Sequence, residues 1–397
     1  MPIDFDALPA RTTVPNERTA VVPWLIALVL IVAISIATWP AGRSTQSPWF
    51  WIRAFVMPSL VWLVLYSGWR FVSAHRRRNA LADNEAIDRK EKRLHGDASV
   101  PMAVIGQSWC FSGDAEKNKL KDAMTAREPA DTPEEPRGLV IPDKAFFQGN
   151  HADEAWRQEI ILEWLLVELV KPLKARLRGS TNPNASKIWL SIDSVLTAEA
   201  TKMTIARAWT TLGLKLPVSV QLIRTMSLYS IDDWLDKRLQ MPVHLVIAVQ
   251  LRGAISGGMQ AGEAEAGVAV LLGQASGDLP DQTLTICAHR PIRSEAATLD
   301  EGIANALRWG HCSDGNIDTL WDTGLQEPLA QAFKNLESSV NDAPVVELAR
   351  TIGDVGVAAP WLALALAAAR AKENAGAQLI LDQQDGDVVA MICRKKN

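Results

Sequence analysis

The chain has 397 residues, 48% hydrophobic and 22% charged, with a formal net charge of −4. That length can bury a substantial core, and a mild acidic excess leaves no electrostatic footprint for nucleic acid, so no nucleic-acid partner is expected. Cys110, Cys287, Cys312, Cys393 and the six histidines are scattered without C-x-x-C or H-E-x-x-H spacing, which speaks against a disulfide framework or a metal centre, and no cofactor is expected.

Two apolar stretches open the chain, residues 21–39 and 49–72. Each approaches or exceeds the roughly 20 residues a helix needs to cross about 30 Å of hydrocarbon. Trp24 and Trp39 bracket the first, and Trp49, Trp51 and Trp69 bracket the second, as indoles do at headgroup layers. Arg53 can snorkel to the interface, and Pro58 predicts a tolerated kink. Only Arg43 lies in the connection, whereas Arg70, Arg76, Arg77, Arg78 and then Arg89, Lys90, Lys92 and Arg93 follow the second stretch. The positive-inside rule then places both ends in the cytoplasm. The expected map is a cytoplasmic tail (1–20), a transmembrane helical hairpin (21–72), a charged juxtamembrane linker, helical in part (73–97), and a cytoplasmic domain (98–397). A cleaved signal peptide is disfavoured by the polar, partly acidic prefix and the second apolar stretch.

Beyond the linker, helical and strand-like segments alternate. VPMAVIG reads as a strand, residues 114–126 as an amphipathic helix, residues 127–137 as an acidic, proline-containing loop, and GLVIPD as a second strand. Residues 153–177 have a broad apolar helical face that ends or kinks at Pro172. KIWLSIDSVL, a helix over 197–212, PVSVQLI, the helix IDDWLDKRLQ and the strand HLVIAVQL follow. Continuous apolar runs such as HLVIAVQL and AGVAVLLG mark strands buried on both faces, hence an α/β fold with a covered sheet. AQLILDQQDGDVVAMICRK reads as a hairpin turning at Asp385, Gly386 and Asp387.

Taken in order, GGMQAGEAEAGVAVLLG (257–273), LTICAHRPI, the helix at 299–307, DTGLQEPLAQAF (322–333) and TIGDVGVAAPWLALALAAARA (351–371) resemble the β-ketoacyl synthase branch of the thiolase-like superfamily. The resemblance covers residues 233–394 well and 99–232 loosely. It implies a thiolase-like layered α/β domain in which the Ala-rich helix after Gly353 and Gly356, apolar almost all round, is buried between two sheets. It also implies a homodimer.

A condensing enzyme of this kind needs a cysteine at a tight turn leading into a buried helix, and two histidines that stabilise the reacting oxyanion. The first histidine region reads LWDTGLQEPL, with Trp321 or Asp322 where the imidazole is expected, and the second reads Gly353-Asp354-Val355-Gly356. Glu263, Asp322 and Asp354 are therefore the family-motif positions to inspect, and no catalytic residue is assigned. Other arrangements read as structural: Asp314, Asp318, Asp322, Glu327 and Asp354 as separate surface acids, His311-Cys312 as a loop, Asp193-Ser194 as a turn. The glycine-rich residues 253–262 lack a P-loop's Lys-Ser/Thr ending. Ketosynthase-like proteins without catalytic residues resemble accessory components of bacterial type VI secretion modules. That implies a non-catalytic, inner-membrane adaptor or scaffold whose partner is a secretion effector or chaperone. The competing expectation is an acyl-transferring or condensing enzyme with a rearranged site, acting on carrier-bound or membrane lipid substrates.

Overall fold

A computed structural model of the chain describes residues 8–15, 21–40, 43–125, 137–139, 153–179, 186–214, 220–237, 243–255, 259–274, 285–336, 339–374 and 376–396. It divides into two compact units, Asp4–His95 and Gly96–Asn397 with Met1–Ile3.

In the smaller unit, α1 (Val21–Ala37) runs antiparallel to the start of α2 (Pro48–Ala98). Trp62 Nε1 donates to Trp24 O at 2.6 Å, Trp24 meets Tyr66 and Trp69, and at the opposite end Trp39 meets Phe50 edge-on. The segment before α1 lies along the polar part of α2. Thr12 N donates to Asn84 Oδ1 at 2.9 Å, Asn84 Nδ2 returns to Thr12 O at 3.0 Å, and Arg11 pairs with Asp88 and Glu91. Proline has no N–H and crowds the preceding turn, and the turn before Pro58, Ile52–Val56, is a wide π-turn. Beyond it the helix is unbroken to Ala98, so the stretch 73–97 is helical throughout rather than in part; it is rich in strong helix formers and has no proline.

Among the described residues, α2 is the one helix long and apolar enough to cross a membrane. The 17 residues of α1 span about 25 Å, short of a full hydrocarbon core, so helix length supports one crossing and leaves the expected second without that support. Val29 is 66% exposed, Val64 69% and Phe71 74%, an apolar surface that the unit does not cover by itself.

The larger unit begins with β1 (Met102–Cys110), α3 (Leu120–Met124), α4 (Glu154–Val170), α5 (Lys174–Gly179), β2 (Ser186–Asp193), α6 (Ala198–Thr211), β3 (Val220–Ile223), α7 (Ser230–Asp236), β4 (Val243–Gln250) and β5 (Ala266–Gln274). The second half contains β6 (Ile286–Ala288), β7 (Ile292–Ser294), α8 (Leu299–Trp309), β8 (Ile317–Asp322), α9 (Leu329–Lys334), β9 (Val345–Glu347), α10 (Leu348–Thr351), α11 (Ala359–Asn374), β10 (Ala377–Gln384) and β11 (Asp387–Lys395). The strand order is β3-β2-β4-β5-β1-β6-β11-β10-β8-β9, with β7 on β11.

Outward from the middle, both halves show two antiparallel pairings and then two parallel ones: β1–β5–β4–β2–β3 and β6–β11–β10–β8–β9. The domain is thus an internal duplication in which β4 matches β10 and α7 matches α11. The halves join where Met102, Ala103 and Val104 pair with Ala288, Cys287 and Ile286. The resemblance implies two sheets; hydrogen bonding instead makes one ladder, because the short β6 bonds β1 on one side and β11 on the other and leaves neither edge unpaired.

Side-chain alternation sets the layers. Along β5, Val268, Val270 and Leu272 join an inner core while Ala269 and Leu271 face α4 and α6. Along β11, Val389, Met391 and Cys393 face the same inner core while Val388, Ala390 and Ile392 face α8. The inner core therefore receives one face from each half, and α11 occupies it with Trp361, Leu362, Leu364 and Leu366 fully buried. This matches the layering that the resemblance implies.

The expected helix at 114–126 is reduced to a 3₁₀ turn at Ala115–Lys117 and the five residues of α3. Asn118 holds the intervening chain to the end of β1: its Oδ1 accepts from Phe111 N and Ser112 N at 2.8 and 2.9 Å, and its carbonyl accepts from Trp109 Nε1 at 2.8 Å. Of GLVIPD only Gly138 and Leu139 are described, beside a bridge from Arg137 to Ala264; the acidic loop also falls outside the described residues apart from Arg137.

Candidate functional site

Two turns lead into the inner helices, one before α7 and its counterpart before α11. Before α11 the backbone crosses the start of β5: Asp354 N donates to Gly262 O at 2.8 Å and Ala264 N to Asp354 O at 2.9 Å. Gly353 has φ +114, and a Cβ there would stand 2.8 Å from Ala264 Cβ and 2.9 Å from Gly262 O, so glycine is required. Glu263 and Asp354 are brought together by this crossing, and Arg252 pairs with both, Nη1 to Glu263 Oε1 at 3.3 Å and Nη2 to Asp354 Oδ2 at 3.2 Å.

Asp354, where the resemblance leads one to expect a histidine, thus has a structural occupation. Its Oδ1 accepts from Gly356 N at 2.9 Å, capping the turn, and the side chain is 61% exposed. The next N–H, that of Val357, donates to Gln250 Oε1 at 3.1 Å, while Gln250 Nε2 donates to Asp193 Oδ2 at 2.8 Å. The N–H groups of Gly356 and Val357, in the 3₁₀ turn that precedes α11, are therefore taken by side chains of the same chain, where an oxyanion site would leave donors for a substrate.

Before α7 the turn reads Met226-Ser227-Leu228-Tyr229, with Met226 and Leu228 buried. Ser227 Oγ accepts from Tyr229 N at 3.0 Å, and Met226 O accepts from Trp361 Nε1 at 2.7 Å. Trp361 is followed by a run of rings: Trp234 at 6.1 Å, then His244 stacked on Trp234 at 4.3 Å, with Trp189 Nε1 donating to His244 Nδ1 at 2.9 Å. Burial pushes His244 down to about 4, so its ring is neutral and free to accept.

No cysteine stands on either turn. Cys110 ends β1, Cys287 lies on β6 and Cys393 on β11. Burial pushes the Cys110 thiol up to about 11 and raises those of Cys287 and Cys393 as well, which withholds the thiolate needed for attack at neutral pH. Cys312 follows α8, where Cys312 N donates to Leu307 O at 3.1 Å and Arg394 holds the carbonyls of Gly310 and His311; His311 and Cys312 close the helix end just past its C-cap, Gly310.

Asp322 is occupied elsewhere, its Oδ1 accepting from Gly324 N and Leu325 N at 2.8 Å each, and the neighbouring Trp321 is fully buried with Nε1 on Gln378 Oε1. Asp318 is bound by Arg370 and Gln378. Asp318, Asp322 and Asp354 therefore answer to three different sets of partners. Among the described residues, no three His, Cys, Asp or Glu side chains gather as metal ligands.

Sequence reasoning missed three groups. Asp382 is 4% exposed on β10 and accepts from Thr323 Oγ1 at 2.8 Å; burial, with Asp322 adding to it, pushes its carboxyl up to about 7. The signal was an acid inside the apolar run AQLILDQQ. Glu265, fully buried, holds Arg157 at 2.5 Å, Leu139 N at 2.6 Å and Arg252 N at 2.8 Å; it sits two residues beyond Glu263, the glutamate that the motif emphasised. Gln250 closes the run HLVIAVQ, and only its reach across to α11 gives it a role.

The sequence matches no protein-family model and no curated protein. Solved structures are similar in fold. The PfaC ketosynthase–chain length factor superposes with a TM-score of 0.52 at 14% identity, over 75% of this chain and 43% of that one, so this chain spans less than half of that protein. A ketosynthase of the bacillaene polyketide synthase from Bacillus amyloliquefaciens gives 0.47 at 13% identity, over 76% of this chain and 74% of that one. The ishigamide ketosynthase/chain length factor gives 0.47 at 13%, over 75% and 100%. Identity this low speaks to fold alone, and the match to the PfaC protein, with the duplicated strand order and the buried α11, shows a thiolase-like, β-ketoacyl synthase-like fold for this chain.

Proposed function

We propose that this protein is a membrane-anchored, non-catalytic thiolase-like adaptor, with both chain ends in the cytoplasm and its two N-terminal apolar helices in a bacterial inner membrane. The reading extends to the loading of effectors in a type VI secretion module, with an effector or its chaperone as partner and a homodimer as the assembled form. One observation carries the non-catalytic part. In the turn before α11, Asp354 and Gln250 accept from the N–H groups of Gly356 and Val357, and neither inner turn carries a cysteine. The ring stack from Trp361 to Trp189 fills the neighbouring interior. Anchoring then contributes local concentration at the membrane rather than turnover.

A second reading has one observation in its favour. A carboxyl held near neutrality, as Asp382 is, is the kind of group that serves as a general acid or base in a rearranged acyl-transfer site. Full-length protein incubated with acyl-carrier thioesters separates the two by intact mass. The adaptor gains no acyl mass, and in membranes its crosslinks recover secretion spike proteins, effectors or chaperones. An acyl adduct on any of the four cysteines, or recovery of acyl carrier protein, would overturn the adaptor reading.

A further inference from the structure

Arg53 is the one cation between Arg43 and Arg70, and the chain has no aspartate or glutamate between Glu17 and Asp83. Its side chain is exposed and, among the described residues, makes no ion pair or hydrogen bond. A charge on an apolar membrane helix is costly unless something answers it, so an unanswered one points to a ligand. Arg53 lies in the wide π-turn Ile52–Val56, among rings that run from Trp39 to Phe50, Trp51 and Phe55. Such rings gather at the headgroup layer, and a helical side chain leans toward the N-terminus of its helix, here toward that layer.

The same π-turn borders a cavity. It has a volume of about 550 Å³ and lies between Leu28 of α1 and Phe55, Val56, Ser59, Leu60 and Leu63 of α2, a size within the roughly 300–1,000 Å³ of small-molecule sites. Phe55 and Val56 belong to the π-turn itself, a distortion that recurs at functional sites. Apart from Ser59 these walls are large and apolar. A further transmembrane helix would need small residues for close approach, whereas a hydrocarbon chain needs none. A cation at the rim and an apolar cleft deeper along the helix together complement the phosphate and the acyl chain of one lipid.

We infer that Arg53 and this cleft bind one anionic phospholipid, with its phosphate on the guanidinium and one acyl chain between α1 and α2. The inference rests on the membrane-anchor reading and names the ligand that the anchor holds. Full-length protein is first floated with phosphatidylcholine vesicles to test the anchor. It is then reconstituted with phosphatidylglycerol or phosphatidylcholine carrying a photoactivatable diazirine in one acyl chain, and the adducts are mapped by peptide mass spectrometry. The expected result is flotation with the neutral vesicles, and adducts concentrated on Leu28 and on residues 55–63, more of them from phosphatidylglycerol. R53Q should float equally and lose about fivefold of the phosphatidylglycerol adducts in the cleft, the effect of one cation near the headgroups. R43Q, in the connection at the same end of the hairpin, should keep them. S59W, which fills the cleft, should lose the cleft adducts with either lipid while those elsewhere persist. Adducts spread evenly over the apolar surface, equal labelling by both lipids, an unchanged pattern in R53Q or S59W, or an equal loss in R43Q overturns the lipid site while leaving the anchor standing. Failure to float overturns both.

Discussion

The two halves of the large domain share one order of strand pairings, β7 apart, and differ in their helices, in the inner layer at one of them. Among the described residues, the helix between β3 and β4 is the seven-residue α7, whereas α11, between β9 and β10, has sixteen. The ladder pairings are indifferent to that difference, because strand pairing depends on backbone groups. The inner core is not indifferent, since α11 packs against strands of both halves and supplies Trp361 to the carbonyl that precedes α7. The sheet thus keeps one pattern in both halves while the inner layer is asymmetric.

The sharpest way to break that comparison is to truncate matched tryptophans. Trp361→Ala removes a fully buried indole of α11 and should cost about 3–5 kcal/mol of stability, read from the urea midpoint of the full-length protein in detergent. Trp234→Ala, on the short α7 and 5% exposed, should cost less. Equal losses would mean that the halves share the core evenly.

Asp382 gives the next effect, because β10 carries a buried acid and its counterpart β4 has none. Its folded-state pKa, pushed up to about 7 from a usual 3.8, means that the folded chain holds the proton more tightly than the unfolded one. Stability from this group is full below about pH 4 and is lost as pH rises toward 7, by roughly 1.4 kcal/mol per pH unit inside that window. Asp382→Asn should flatten this part of the pH–stability curve, and an unaltered slope would locate the titration elsewhere.

Gln250→Ala tests the link between halves. It strips the acceptor from Val357 N and the donor from Asp193, for an expected loss of about 1–3 kcal/mol, with faster hydrogen exchange at Val357. The smallest effect is expected at Asp354, which is largely exposed: Asp354→Ala removes a turn cap and one side of a surface ion pair, at most about 1 kcal/mol. A larger loss would mean that this position organises more than its own turn.

Legibility in the sequence followed the range of the interaction. Strands with unbroken apolar runs, the Asp385-Gly386 hairpin turn and the all-apolar α11 were readable because alternation, turn chemistry and composition are local. The helix expected at 114–126 failed because Asn118 diverts the chain through contacts to the end of β1, a competition that helical spacing does not register. Gly353 was readable as a glycine position, yet its reason, Ala264 Cβ and Gly262 O within 3 Å of where a Cβ would stand, belongs to the crossing.

By itself, the sequence determined the apolar and basic zones of the N-terminal region and the α/β alternation. Those follow from residue type and spacing along one chain. Only the tertiary structure decided that Asp354 and Glu263 share Arg252, that Gln250 closes the start of α11, that Trp361 reaches the turn before α7, and that Asp382 is buried. Each joins residues far apart in sequence through contacts of a few ångströms, and such contacts exist only once the two halves have closed over a common inner layer.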